Sequence, residues 1–338
     1  MTAMTFAMLH FNSFWGGFMA FKIVGVGSCL PKFMLDNQML SKMVDTNDEW
    51  ITSRTGIKTR GILTNESLLD LSVTAANKAL AMAKADAGSI DLIICTTLMG
   101  DTISPYHAAM IQKRIGAKCH AFDINVGCSG FVYALEVASA YFKAGMASRI
   151  LVVSAEHMSN FLDYNDRATC ILFGDGAGAV VLEKGENLLG LKLITMGDDS
   201  ILRVSRHNGN FPYERFGFEG KGESSQKVWM DGQQVYMFAV NCLVDSIKDA
   251  VRQAGIEVGD IDYILPHQAN KRIIEAARLK LGIENDRILS NIERVGNTTS
   301  ASIPIMLAEY AGKFKRGMKL LLATFGGGMS GGSALIEW

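Results

Sequence analysis

At 338 residues the chain is long enough to bury a large core and to form about two domain-sized units. With 33 Lys and Arg against 34 Asp and Glu, and 49% apolar residues, it lacks the basic excess of a nucleic-acid binder and the polybasic clusters of a protein held on anionic lipid. Its six cysteines show no CxxC or CxxH spacing, which argues against a zinc site or a disulfide framework and for a reducing, cytoplasmic setting.

Residues 1–20 are apolar and aromatic, carry no Lys or Arg, and are interrupted by His10, Asn12, Ser13, Gly16 and Gly17. That pattern suits neither a secretory signal nor a spanning helix. It reads as an N-terminal extension, with a peripheral anchor as the alternative. Short β-rich runs then alternate with helical patterns, which predicts an α/β fold. In chain order the pattern predicts a strand at Lys22–Val26, a helix at Ser67–Ala83, a strand at Leu92–Thr96 and a helix at Ser104–Ile115. A strand at Ala121–Asn125, a helix at Phe131–Ala144, and strands at Arg149–Ser154, Ala179–Leu182 and Leu191–Met196 follow. From Gly197 to Lys227, polar and small residues interrupt any periodicity, so this segment reads as a long functional loop or irregular insertion. Beyond it the pattern predicts a helix at Val235–Gln253, a strand at Tyr263–Pro266, helices at Asn270–Leu281 and Ser302–Tyr310, and strands at Lys319–Ala323 and Ala334–Glu337.

A repeat runs through these elements. Asp91–Ile94 has a counterpart in Asp262–Leu265, Arg149–Ser154 in Lys319–Thr324, and Gly176–Leu182 in Gly331–Ile336. Three pairs in one order, at similar offsets, predict a duplicated βα unit. The boundary falls near Gly185–Leu191, giving units of 21–188 and 189–338 after the extension 1–20.

Cys128 carries the strongest chemical signal. It stands between an apolar run ending at Gly127 and a helical pattern starting at Ser129. At such a turn the helix dipole favours a thiolate, and Gly127, Ser129 and Gly130 let a substrate approach, as at a nucleophile elbow. The competing reading is a buried structural cysteine. Three further segments sit at element ends: Pro266–Asn270 (PHQAN), Gly296–Pro304 (GNTTSASIP) and the glycine run Phe325–Gly332. Taken singly they read as a structural His, a helix N-cap and a turn. Taken with Cys128 they read as one convergent site. Trp50 and Arg54, four apart, offer an indole and a guanidinium between which an adenine could stack; a surface Trp packed under an Arg is the plainer reading.

In motif order and spacing the chain resembles the β-ketoacyl-acyl-carrier-protein synthase III family from about Phe21 to Trp338. The resemblance rests on Asp123–Phe131 (DINVGCSGF), PHQAN, GNTTSASIP and the glycine run with its closing GGSALIEW. Asp45–Ile51 (DTNDEWI), Arg54–Ile57 (RTGI) and Phe173–Ala179 (FGDGAGA) add to it. It implies a thiolase-like fold of two similar βα halves in an α-β-α-β-α sandwich. It also implies decarboxylative condensation of an acyl-CoA primer with malonyl-acyl carrier protein (ACP), by a homodimer that needs no cofactor beyond its thioester substrates and no metal.

Under that resemblance Cys128 is the nucleophile that holds the acyl group. The backbone N–H groups of Cys128 and Gly327 form the oxyanion hole. His267 and Asn297 donate to the enolate left by loss of CO₂. Trp50, Arg54 and Arg167 meet the nucleotide of coenzyme A, and Met230, Gly232, Asn270 and Phe325 line the substrate tunnel. Gln268, Ala269, Asn270, Lys271 and Arg272 face the carrier protein. Asn297 stands where elongating enzymes have a second His, and the second Cys of thiolases is absent. Two departures concern the primer. Ser104 replaces a bulky wall of the acyl pocket, and Ser330-Gly331-Gly332 lacks a large aromatic, which together suggest primers longer or more branched than acetyl. The alternatives are a related condensing enzyme or acyltransferase of secondary metabolism and a non-catalytic chain-length partner, the latter disfavoured by the Cys–His–Asn set.

Overall fold

The computed structural model describes residues 20–205, 215 and 226–338. Nearly all of the expected N-terminal extension, and most of the irregular segment expected at 197–227, lie outside the described residues. In the first half the chain runs β1 (Lys22–Cys29), β2 (Phe33–Asp36), α1 (Asn37–Leu40), α2 (Asp48–Thr55), β3 (Thr59–Ile62), α3 (Leu68–Ala83), β4 (Leu92–Thr96), α4 (His107–Ile115) and β5 (His120–Ile124). It continues with α5 (Gly130–Lys143), β6 (Arg149–Glu156), α6 (Arg167–Cys170) and β7 (Gly176–Glu183). The second half holds β8 (Leu188–Thr195), β9 (Leu202–Val204), β10 (Val228–Met230), α7 (Gly232–Ala254), β11 (Tyr263–Pro266) and α8 (Lys271–Leu281). It closes with α9 (Ile292–Val295), α10 (Ser302–Tyr310), β12 (Lys319–Gly326) and β13 (Ser330–Glu337).

Side-chain alternation along the strands sets the layers. Leu92, Ile94, Ile150 and Val152 point into a central core with α5 and α10, where they meet Leu320 and Leu322 of the second sheet. Their neighbours Ile93, Cys95, Leu151 and Val153 point the other way, onto α3 and α4. Leu321 and Ala323 turn outward onto α7 and α8. The outcome is the expected five-layer α-β-α-β-α sandwich.

The predicted repeat is visible in the pairing. The first sheet has the order β1-β7-β6-β4-β5 and the second β11-β12-β13-β8. In each, a parallel pair (β4 with β6, β11 with β12) is followed by an antiparallel partner (β7, β13) and then by β1 or β8. An isolated parallel bridge between Ile264 and Ile288 stands where the second sheet would have its β5. Asp91 and Asp262 also match: each carboxylate accepts from the amide that opens the paired strand, Arg149 at 3.0 Å and Lys319 at 2.8 Å.

All nine predicted strands and all six predicted helices are present; β4, β11 and α10 have the predicted bounds, and the others have one or both ends shifted. The helix expected from Ser104 begins at His107, where the Asp123 carboxylate accepts from the His107 and Ala108 amides. Four short strands, β2, β3, β9 and β10, and the short helices α1, α2, α6 and α9 add to the predicted set. Each is too brief to show a period.

Close packing of strand on helix depends on glycine at matching positions. A Cβ on Gly25 would lie 2.1 Å from the carbonyl oxygen of Ala79 in α3, and one on Gly190 2.3 Å from that of Ala250 in α7. Gly25→Ala is therefore expected to destabilise the fold by about 1–3 kcal/mol through overpacking. Gly259→Ala, with open space around it, should stay within about 0.5 kcal/mol. Urea unfolding of both variants checks this, and equal midpoints would contradict it.

Candidate active site

The site forms where the carboxyl ends of strands from both sheets meet. β5 leads into a 3-10 turn, Gly127–Ser129, that runs directly into α5. Gly127 sits at φ +51°, in the left-handed region open to glycine, and this turn presents Cys128. The Thr324 hydroxyl of β12 donates to the Cys128 carbonyl oxygen at 2.9 Å, which ties the nucleophile turn to the second sheet. Gly326 follows on the same strand. A Cβ there would lie 2.9 Å from the Cys128 Cβ, so only glycine lets the strand pass.

His267 follows β11, held by its amide bond to the Ala323 carbonyl at 2.7 Å. The ring is buried, its Nδ1 lies 2.9 Å from Ser302 Oγ, and its Nε2 has no partner among the described residues. Burial pushes its pKa down to about 3, so the ring is neutral at ordinary pH. The Ser302 bond fits either tautomer; with the hydroxyl donating to Nδ1, the ring proton is on Nε2. Asn297 is buried and bridges to Phe173 through its backbone. Its Oδ1 accepts from the Thr299 amide at 2.9 Å, which leaves its NH₂ as the free donor.

Cys128, His267 and Asn297 line one cavity of about 520 Å³. The far side of that cavity carries Trp50 and Arg54 of α2, with Met230, Gly232, Asn270 and Phe325 between. A second cavity of about 410 Å³ also opens on Cys128, walled mainly by apolar residues such as Leu98, Met158, Phe173 and Val204. Gly327 borders this second cavity. Cys128 thus borders two cavities, both lined mainly by apolar residues.

α2 is placed by its ends. Asn47 caps it through a bond from the Trp50 amide at 2.8 Å, and Gly56 ends it at φ +79° against Lys271 of α8. Arg54 and Arg167 lie 5.4 Å and 5.0 Å from the Trp50 ring centroid, so both guanidiniums are within cation–π range of the indole. Arg167 reaches Trp50 from α6 without itself lining the cavity.

Four expectations need correction. The thiol is not held low by its helix terminus: burial, followed by the carboxylate of Glu156, pushes Cys128 up to about 12. Desolvation of the sulfur favours the neutral thiol as the resting group. Gln268 does not face outward. It is fully buried, its Oε1 accepting from the Ser290 hydroxyl and from the Asn291 and Ile292 amides, and its Nε2 donating to the Pro266 carbonyl. It locks the PHQAN loop, while Lys271 and Arg272 are exposed and Ala269 and Asn270 are half-buried.

Ser104 lines neither cavity and is exposed in the segment 101–106, so the acyl-pocket assignment is not met within one chain. Gly331 leaves no space for substrate either. A Cβ there would lie 2.2 Å from Cys242 Sγ, so the volume of the missing aromatic belongs to α7. Ser330 does border the second cavity.

Three functional residues are not evident from sequence pattern: Ser302, which orients His267, Thr324, which binds the Cys128 carbonyl, and buried Glu156. Of these only Glu156 leaves a signal, as an acid directly after the apolar run Ile150–Val153 and two small residues.

Comparison with known proteins agrees with this geometry. Residues 122–197 match the family model described as 3-oxoacyl-[acyl-carrier-protein (ACP)] synthase III, and residues 251–338 match its C-terminal counterpart. A β-ketoacyl-[acyl-carrier-protein] synthase III of Clostridium acetobutylicum is 42% identical over 324 residues, covering 94% of this chain and 98% of the relative. The crystal structure of 3-oxoacyl-[acyl-carrier-protein] synthase III from Aquifex aeolicus superposes with a TM-score of 0.87 at 38% identity, covering 94% of this chain and 100% of that one. The priming β-ketosynthase of a polyketide biosynthetic pathway superposes with a TM-score of 0.85 at 31% identity, covering 94% and 96%. Sequence identity over nearly the full length, on the same layered fold, shows that the chain belongs to the 3-oxoacyl-[acyl-carrier-protein] synthase III family.

Proposed function

We propose that the chain starts fatty-acid synthesis by condensing an acyl-CoA primer with malonyl-ACP, through an acyl group held on Cys128. One observation carries the assignment of roles: Cys128, His267 and Asn297 line a single cavity whose outer end is marked by Trp50 and Arg54. In the first half-reaction Cys128 Sγ attacks the thioester carbonyl. The C–S bond to coenzyme A breaks, and the thiol proton leaves with coenzyme A. Backbone N–H groups of Cys128 and Gly327 receive the oxyanion. In the second, the C–CO₂ bond of the malonyl thioester breaks, and His267 Nε2–H and the Asn297 NH₂ donate to the enolate oxygen. The enolate carbon attacks the acyl carbonyl, a C–C bond forms, and the cysteine leaves as thiolate and takes up a proton. No step calls on a cofactor or a metal.

Lys271 and Arg272, exposed where α8 begins at the cavity mouth, suit the acidic carrier. Arg272 also lines the cavity, so Lys271 is the cleaner probe. A homodimer belongs to this reading. β5 is an unpaired edge of the first sheet, and Tyr106, next to the residue capped by Asp123 of β5, is exposed. A cytoplasmic location suits six cysteines that are all free. Among the described residues no helix is long and apolar enough to cross a membrane. Primers longer than acetyl fit the second cavity, and likeness to a polyketide priming ketosynthase favours, as a second reading, the same chemistry in secondary metabolism.

Cys128→Ala should abolish the acyl adduct seen by intact mass after mixing with acyl-CoA; a persisting adduct sinks the mechanism. His267→Ala and Asn297→Ala should still take the acyl group yet lose malonyl decarboxylation by about a hundred- to a thousandfold each, with parental rates in both counting against their roles. Because the Cys128 pKa is raised, the thiolate fraction rises about tenfold per pH unit below it, and iodoacetamide labelling of Cys128 should climb steadily from pH 7 to 9. A plateau near pH 7 would indicate an ionised resting cysteine. Val204→Phe narrows the second cavity and should cut acylation by longer primers while sparing acetyl-CoA, as a panel of acyl-CoAs can measure.

A further inference from the structure

Glu156 ends β6 with 1% of its surface exposed. Its Oε2 accepts from the Leu98 amide at 3.0 Å and its Oε1 from the Ser300 hydroxyl at 2.5 Å. Among the described residues no lysine or arginine pairs with it. A buried acid without a cation is costly to keep, so its position calls for a physical cause.

The Thr299 hydroxyl and the Ser300 amide also face the carboxylate, and the Leu98 and Ser300 side-chain bonds lead to opposite sides of the site. On one side, the Leu98 carbonyl accepts from Asn125 Nδ2 at 3.3 Å, and Asn125 Oδ1 accepts from the Gly127 amide at 3.3 Å, one residue before the nucleophile. On the other side, Ser300 sits in the loop that presents Asn297 and Ser302. Thr299, just before Ser300, is held at φ +46°, a strained conformation for a β-branched residue, and its amide fixes Asn297 Oδ1. The Glu156–Ser300 bond clamps the residue next to that strained one.

The groups facing the carboxylate are few. Titratable neighbours are the thiols of Cys128, on the turn after β5, and Cys95, on β4, each raised partly by its charge. β4 and the Ser300 loop otherwise offer hydroxyls: Thr96 Oγ1 lies 3.1 Å from Ser300 Oγ and 2.7 Å from Ser154 Oγ. His157, next in the chain, turns to Asn160, and Asp123 of β5 is occupied by the amides of α4.

We propose that Glu156 is a positioning residue for the condensation: by way of Leu98 and Asn125 on one side and Ser300 on the other, it ties the turn presenting Cys128 to the loop presenting Asn297. This rests on the roles given above to Cys128 and Asn297. Burial pushes Glu156 up to about 7, so its charge changes around neutral pH. Above that pH the carboxylate is present and keeps the thiol pKa high; below it the restraint is lifted. The tie survives protonation. The new O–H donates to Ser300 Oγ, and the Ser300 hydroxyl turns toward the Thr96 carbonyl, 3.5 Å away.

Glu156→Gln removes the charge and keeps the shape. In the full chain, iodoacetamide labelling of Cys128 should then reach a given rate about one pH unit lower than in the parent, a gain of about tenfold at pH 8. A purely structural role would not move that profile. Ser300→Ala breaks the tie and keeps the carboxylate, and should lower malonyl decarboxylation by up to about a hundredfold through misplacement of Asn297. Coincident labelling profiles for the parent and Glu156→Gln overturn the charge role, and parental decarboxylation in Ser300→Ala overturns the tie. Circular dichroism establishes folding, and if Glu156→Gln does not fold, Ser300→Ala decides. Cys128→Ala run alongside separates the two levels. An acyl adduct that persists there sinks the proposed function itself, whereas its loss leaves the role of Glu156 to be decided by the other two variants.

Discussion

One buried helix pair, α5 and α10, is shared by two sheets, and the site exists because the strands of both sheets end beside it. Strands β4, β6, β11 and β12 are covered on both faces, so they cannot open a pocket along their length. The free space lies beyond their carboxyl ends, where loops must satisfy the last backbone groups. Cys128 enters from the first sheet, His267 and Gly326 from the second, and Asn297 from the approach to α10. The Thr324 hydroxyl on the Cys128 carbonyl joins the two sheets at that point, and Gly326 lets them approach closely.

The same burial sets the chemistry. Desolvation moves the cysteine up and the histidine down, so both are neutral in the resting protein. A neutral histidine with an unpartnered Nε2 is a pre-organised donor, which suits an enolate oxygen better than an imidazolium exposed to water would. Asn297 is prepared in the same manner, its oxygen taken by Thr299 and its NH₂ left free. Cys128 lines two cavities, which offers room on two sides of the same residue.

Much of this is legible in the sequence for definite reasons. Long buried strands and helices carry their periods openly, and β4, β6, β11 and β12 lie near their predicted bounds. The duplicated order of strands shows as matched apolar runs, down to the paired Asp91 and Asp262. Cys128, His267 and Asn297 stand out because each follows or precedes a regular element in a loop of small residues. Short elements such as α2 and the β9–β10 pair stay hidden, since a few residues held by neighbours show no period of their own. Gln268 misleads for a related reason. The resemblance places it on the carrier-facing surface beside Lys271 and Arg272, yet its side chain is drawn inward by three donors from the segment Ser290–Ile292, well beyond its own loop.

By itself, then, the sequence determined the α/β layering and the internal repeat and singled out Cys128, His267 and Asn297, because these depend on local pattern, residue type and motif order. Tertiary structure alone decided which groups are desolvated, which space is already filled and which residues touch across the halves. The thiol's rise comes from everything that buries Cys128. Cys242 filling the volume beside Gly331, and the Glu156–Ser300 bond, each join residues far apart in the chain. Desolvation and steric exclusion are set by all that packs around a group, and no spacing within one segment encodes them.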